Sequence, residues 1–195
     1  MTRGRPLAFS PDQTTNAAMQ VFWSQGYDSA STRDLLDAMQ ISRSSLYQAY
    51  GNKEQLFLEA LRRYRGNLLD RLERRLVAAP SARAFIEGLF VDTATEAGSE
   101  RAALGCLIFN SASELGQREG LAAEEARRSV EAITALFERS VISAQQQGDI
   151  DVQRDARALA TYLTMGMAGL RTLLKSTSDR ATAEAAARLF LEPLH

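Results

Sequence analysis

The residues most able to do chemistry lie close together near the start of the chain. Ser42-Arg43-Ser44-Ser45 is followed by Tyr47, Gln48 and, after a Gly51-Asn52 break, Lys53. This is a cluster of hydrogen-bond donors with two cations, and it contains no carboxylate. An arginine at the start of a helix can bond guanine through two parallel N–H groups, and serine hydroxyls can serve bases or phosphates. Backbone N–H groups at a helix start also favour phosphate, because the helix dipole places partial positive charge there. The chemistry is recognition of an anionic, edge-patterned surface, and duplex DNA has that character.

Catalytic and metal chemistry have little to build on. His195 is the only histidine and is terminal, so a His-based triad or histidine ligand cluster is not expected. Rossmann and P-loop glycine patterns are absent. The expectation is a non-enzyme that needs no cofactor and no metal.

Local signals show how the cluster is held. Ser10, Pro11 and Asp12 form a helix start, and Ala18, Met19, Val21, Phe22 and Trp23 form its apolar face up to Gly26. Ser31-Thr32 opens a short second helix with Asp34 in its first turn and Leu35, Leu36 and Met39 on one face. Only a short turn through Ile41 separates it from the helix beginning at Arg43. Two short helices at a tight turn are the helix-turn-helix arrangement, whose second helix enters the major groove. The same pattern also suits two amphipathic helices that merely pack together, with the serines as ordinary caps. A long helix follows from about Lys53 to Ala79-Pro80, with Phe57, Leu61, Tyr64, Leu68, Leu72 and Leu76 at helical spacing.

Further helices are expected from Ser81 toward Ala97, across Ala102–Leu115 with breaks at Gly105 and Gly116, and from Leu121 to Gln147. Two more should run from Val152 to Lys175 and from Ala181 to Leu191. With 4 Pro, 45% hydrophobic residues and no sustained strand alternation, the class is all-α. Ala158–Leu170, closed by Arg157 and Arg171, is too short to span a bilayer. No membrane partner is expected. The single cysteine, Cys106, excludes an internal disulfide and suits a reducing compartment, so a cytoplasmic location is expected. Through Val77 there are 11 Lys+Arg against 8 Asp+Glu, and from Ala78 onward 12 against 16. A basic front and an acidic rear suit a nucleic-acid head on a body with another task.

Thr32-Arg33-Asp34-Leu35-Leu36, Ile41-Ser42-Arg43-Ser44-Ser45-Leu46-Tyr47 and Tyr50-Gly51-Asn52-Lys53-Glu54-Gln55-Leu56-Phe57 resemble the head of the TetR/AcrR family of regulators, as does Ala17–Tyr27. Tyr50 stands where that family usually has Phe. The resemblance implies a three-helix DNA-binding domain over residues 1–55 and a helical effector-binding and dimerisation domain over 56–195. It further implies a ligand-responsive repressor that binds a palindromic operator in double-stranded DNA as a homodimer and answers to a small-molecule effector. By the same resemblance Tyr47 and Lys53 clamp phosphates, Thr32 and Arg33 touch the backbone or groove rim, and Arg43 to Gln48 read bases. The last two helices would pair with their copies.

The basic start, Arg3-Gly4-Arg5, is either a charged terminus or an arm for the minor groove. For the effector pocket, Phe85, Phe109, Phe137, Tyr162 and Met165 are candidate walls, with Asn110 as a polar group. Each aromatic is equally a plain core residue. Cys106, in a Gly-Cys-Leu segment that resembles one branch of the family, is either a small buried residue or a thiol responsive to electrophiles or oxidants, with Lys175 as a candidate neighbouring cation. The alternative to a regulator is a helical ligand-binding or protein-interaction module without specific DNA binding, and a gel shift separates the two.

Overall fold

A computed structural model describes residues 10–177 and 179–194. Arg3, Arg5 and His195 therefore lie outside the described residues. The described chain is all-helical: α1 (Pro11–Gln25), α2 (Thr32–Met39), α3 (Arg43–Tyr50), α4 (Lys53–Ala78), α5 (Ala82–Ala94), α6 (Glu100–Leu104), α7 (Leu107–Leu115), α8 (Leu121–Gln146), α9 (Ala156–Leu173) and α10 (Arg180–Leu191), closed by a 3₁₀ turn at Glu192–Leu194. No helix among these residues is long and apolar enough to cross a membrane.

Side-chain caps set most helix starts. Ser31, Asn52, Ser81, Ser99, Asp155 and Asp179 each accept a hydrogen bond from a backbone N–H three residues on. Such a cap satisfies a donor the helix cannot, typically stabilising by about 1 kcal/mol. Ser10 occupies the cap position of α1 but makes no side-chain cap; instead the Thr14 hydroxyl donates back to the Ser10 carbonyl at 3.1 Å. Caps also explain where the expected spans were too long. Asp155 starts α9 at Ala156, because Asp151 holds the preceding residues in a turn through Gln153 N–H (2.9 Å). At the other end of the body, α5 stops at Ala94 and residues up to the Ser99 cap form turns.

The head is α1 to α3 folded on the first turns of α4. Phe22 and Phe57 meet edge-to-face with centroids 5.1 Å apart, and Tyr27 lies 4.8 Å from Phe57. Such pairs gain over plain area burial because ring edges and faces carry opposite partial charge. The body wraps α8 with α4, α5, α7 and α9, and α10 lies along α5. Glu125 of α8 is 2% exposed and would be costly alone. It is held by Arg62 (2.9 Å) and Arg65, both from α4. A division at residues 55–56 falls within the first turn of α4, which runs without a break from head to body.

The α9–α10 seam depends on a glycine. Phe190 stacks between Tyr162 (4.2 Å, 8° between planes) and Phe90 (5.2 Å). A Cβ on Gly166 would overlap the Cζ end of the Phe190 ring. Because Phe190 is gripped on both faces, it cannot swing aside cheaply. Gly166→Ala is therefore expected to destabilise the fold by about 1–3 kcal/mol, despite alanine's better helix propensity. Thermal unfolding checks this, and an unchanged or higher midpoint would show that the seam can open.

Candidate DNA interface and effector cavity

The turn between α2 and α3 fixes how the recognition surface is presented. Gln40 ends α2 in the left-handed region (φ 54°, ψ 41°), and its N–H reaches the Leu36 carbonyl. Ser42 then caps α3, its Oγ accepting from Ser45 N–H at 3.1 Å and lying 2.8 and 2.9 Å from the hydroxyls of Ser44 and Ser45. The Ser42 hydroxyl is thereby engaged in local structure. Leu46, 1% exposed, pins α3 inward. Its opposite side carries Arg43, Ser44, Tyr47 and Gln48, all exposed, with Ser45 partly covered. These four positions fall on one face because residues four apart on a helix are neighbours. The Arg43 guanidinium lies 5.8 Å from the Tyr47 ring centroid, which orients both side chains outward.

Thr32 is partly buried at the first position of α2, and Arg33 is exposed with only a loose 3.8 Å pair to Asp37. Lys53 opens α4; its ammonium donates to the Asp28 carbonyl at 3.3 Å and sits 4.8 Å from the Tyr27 ring. An ammonium has three donors, and this contact uses one. Thr32, Arg33, Arg43, Ser44, Ser45, Tyr47, Gln48 and Lys53 are thus all carried by α2, α3 and the start of α4.

Tyr50 contributes a contact that its sequence position did not announce. Its hydroxyl lies 2.7 Å from Thr14 Oγ1 and 3.1 Å from Thr15 Oγ1, tying α3 to the two buried threonines of α1. A phenylalanine there would leave the Thr14 hydroxyl to the Ser10 and Pro11 carbonyls and would take this contact from the buried Thr15 hydroxyl.

The head is also latched to the body. Glu114 at the end of α7 accepts from the N–H groups of Tyr27 (2.9 Å) and Asp28 (2.7 Å), in the loop after α1. Gly26 (φ 86°) permits this approach, because a Cβ there would meet the Glu114 carboxylate at 2.9 Å. Arg118 pairs with Asp28 through two bonds of 3.0 and 2.7 Å. Arg118 hydrogen bonding holds the Asp28 carboxyl below its ordinary pKa. The pair is therefore complete at neutral pH and is lost only as acid protonates Asp28.

Within the body a cavity of about 90 Å³ opens between α4, α5, α7, α8 and α9. Of the candidate pocket residues, Cys106, Phe109 and Phe137 are on its wall. Four other candidates are not. Met165 is 68% exposed, because it sits two residues from both Leu163 and Met167 and so faces the opposite side of α9. Phe85 is core on α5 and does not border the cavity. Tyr162 belongs to the α9–α10 seam, its hydroxyl donating to the Phe190 carbonyl at 2.6 Å. Asn110 borders a neighbouring open cleft, where it bonds the Leu104 carbonyl (2.9 Å) and faces Lys175 (3.5 Å). Lys175 is accordingly paired outside the cavity of Cys106.

The wall residues that sequence reasoning missed are polar. Tyr64, deeply buried, donates to Cys106 Sγ at 3.7 Å. Burial first, and then Cys106, pushes its pKa up, so Tyr64 remains a donor. Arg71, Arg75, Arg101 and Arg171 border the same space, against the carboxylates of Asp92 and Glu96. Arg75 pairs with Asp92 (2.5 Å), and Glu96 is shared by Arg171 (2.6 Å) and Arg101 (3.5 Å). Arg71 makes no hydrogen bond or ion pair among the described residues. Desolvation, followed by the neighbouring Arg101, lowers its pKa. A second compartment of about 120 Å³ shares Tyr64, Leu68, Arg71 and Arg101 with the first and reaches Met19 and Trp23 of α1. Arg101 lies 5.7 Å from the Trp23 ring, whose N–H is buried without an acceptor. A buried donor left unmade costs about 1–3 kcal/mol, which marks this corner as electrostatically incomplete.

Comparison with known proteins adds an independent line. Residues 15–60 match the family described as "Bacterial regulatory proteins, tetR family", and residues 83–190 match "Tetracyclin repressor-like, C-terminal domain". The chain is 30% identical over 177 residues to the uncharacterized HTH-type transcriptional regulator YezE of Bacillus subtilis, covering 90% of this chain and 91% of that protein. It is 27% identical to the HTH-type transcriptional repressor ComR of Escherichia coli, over 87% and 81% of the two chains. A cysteine mutant of the TetR family regulator CifR, solved with a 26-bp double-strand operator DNA, superposes with a TM-score of 0.81 at 31% identity, over 96% of this chain and 98% of that one.

Proposed function

This chain belongs to the TetR family of bacterial regulatory proteins, and from that premise we propose that it is a ligand-responsive repressor which binds a palindromic operator as a homodimer. It is a DNA-binding transcriptional regulator, as its family is. One observation carries the specific reading. The outward face of α3 gathers Arg43, Ser44, Tyr47 and Gln48 on a helix held from behind by Leu46 and at its start by Ser42. Arg43, Ser44, Ser45 and Gln48 read base edges, and Tyr47 and Lys53 hold phosphates. Thr32 and Arg33 touch the groove rim, and Ser42 sets the angle of entry. Arg3 and Arg5, outside the described residues, act as a minor-groove arm.

Residues 1–55 form the DNA-binding unit and 56–195 the effector and dimerisation unit, with α4 as the continuous link. α9 and α10 supply the interface between copies, since each leaves an apolar side chain in solvent: Met165 at 68% and Leu189 at 65% exposure. The body cavity, with Cys106, Phe109 and Phe137 on its wall, receives the effector. The protein works in the cytoplasm, without a cofactor and without catalysis.

Footprinting with gel shifts tests this reading. Two recognition helices related by a twofold axis require half-sites separated by about one helical turn, roughly 34 Å, or a multiple of it. Protection of an inverted repeat is expected, and a single asymmetric half-site would refute the dimeric reading. Lys53→Ala should weaken binding to all sequences alike and lower the salt slope by about one unit. Arg43→Ala should instead relax preference at one base position, by about 1–3 kcal/mol. A lysine variant with unaltered salt dependence would remove Lys53 from the phosphate contacts.

A further inference from the structure

We infer that the effector cavity selects a small amphipathic carboxylate, with one ring or a chain of about six carbons, whose anionic head is held by Arg71 beside Arg101. This rests on the reading of the body as an effector domain and deepens it.

The charge balance of the wall sets the sign. Four guanidiniums border the cavity against two carboxylates, and both carboxylates are already engaged. Arg71 is the one of the four without an ion pair; Arg101 borders the same two compartments, and Glu96, already shared by Arg171 and Arg101, reaches Arg71 only as a longer-range charge. Arg71 and Arg101 both keep part of their surface in water, so an incoming carboxylate gains through charge-assisted bonds to a planar fork of donors rather than by relieving a buried charge. A neutral ligand lacks this gain. The remaining wall sets the rest of the molecule. Leu72, Leu89, Phe109, Ile133, Phe137 and Met167 offer an apolar surface with no further acceptor to satisfy. The apolar compartment of about 90 Å³ is smaller than the roughly 150 Å³ cavity that holds benzene, so one ring or a six-carbon chain with its head group must occupy the adjoining compartment of about 120 Å³ as well.

Location supplies the route to the head. Arg71 and Arg101 are the two cations shared by both compartments, and Arg101 lies against Trp23 of α1. A carboxylate bonded to Arg101 competes with both Glu96 and the Trp23 ring for that guanidinium. Ligand binding thereby changes a contact between body and head directly, without passing through distant elements.

Trp23 is the only tryptophan in the chain, so its fluorescence reports the site. The full-length protein is titrated with benzoate, phenylacetate and hexanoate, and separately with the corresponding neutral amides. Saturable fluorescence changes are expected from at least one acid, with its amide about tenfold weaker or worse. Arg71→Gln should erase the preference for acid over amide while leaving the ligand-free affinity for DNA unchanged. Equal binding of acid and amide, no response to any of the three acids, or a preference surviving in Arg71→Gln overturns the assignment. Gel shifts on the same samples keep the two readings apart. Specific DNA binding without an acid response sinks the carboxylate and leaves the regulator standing. An acid response in a protein that binds no inverted repeat upholds the anion site and sinks the regulator.

Discussion

Replacing Met165 and Leu189 together by arginine is expected to convert the protein to monomers and to cost operator affinity by a factor of about 10²–10⁴. Both side chains project from the last two helices, and Leu173 extends the stripe on α9 at 42% exposure. Each twofold interface presents the same patch to itself, so one substitution appears on both sides and two cationic groups meet their own copies. The fold should survive, because neither side chain is part of the core. Affinity falls because a dimer binds its second half-site at the high effective concentration set by the first, and a monomer loses that gain. Light scattering with a gel shift on one inverted repeat provides the readout. A dimer persisting with unaltered DNA binding would move the interface away from α9 and α10.

Phe57→Ala is expected to be the most destabilising single truncation in the head, at about 3–5 kcal/mol. The ring is fully buried and is the common neighbour of Phe22 and Tyr27. Its removal leaves a cavity bounded by α1, the loop after it and α4, which cannot close without moving the helix-turn-helix off its support. In a chain of this length each kcal/mol lowers the unfolding midpoint by about 2–4 °C, so a fall near 10 °C is expected in calorimetry. A loss below about 1 kcal/mol would mean that the head tolerates repacking there.

Most of the helical architecture was legible, because caps and glycines mark ends locally: Ser31, Asn52 and Ser81 each start a helix where their residue type predicts. The recognition face was legible for the same reason, since four near-consecutive residues share one short helix. The cavity was not. Phe109 and Phe137 are aromatic in apolar stretches, as are Phe85 and Tyr162, and nothing local separates a ring that borders a void from one that fills it. Met165 misled because apolar character on a helix says buried, while the two-residue offset from Met167 turns it to the opposite face. Arg71, Arg101 and Arg171 were invisible as a group: each reads as an ordinary solvated arginine, and only the meeting of α4, α6 and α9 brings them to one space. The Tyr50 hydroxyl was likewise hidden, because its partners are 35 and 36 residues away.

The contact of Glu114 with the loop after α1 makes the end of α7 a second point of attachment for the head, besides its continuity with α4. A body fixed at one point can swing freely, whereas further points of contact, with the Arg118–Asp28 pair and Arg101 against Trp23 among them, restrict the ways in which the head can turn. A displacement of α7 relative to α4 is therefore passed to the loop after α1 through Glu114. In a pair of such molecules two displacements related by the twofold axis would alter the separation of the α3 helices together, so a shift too small to unseat either head could still put both out of step with the helical repeat of DNA.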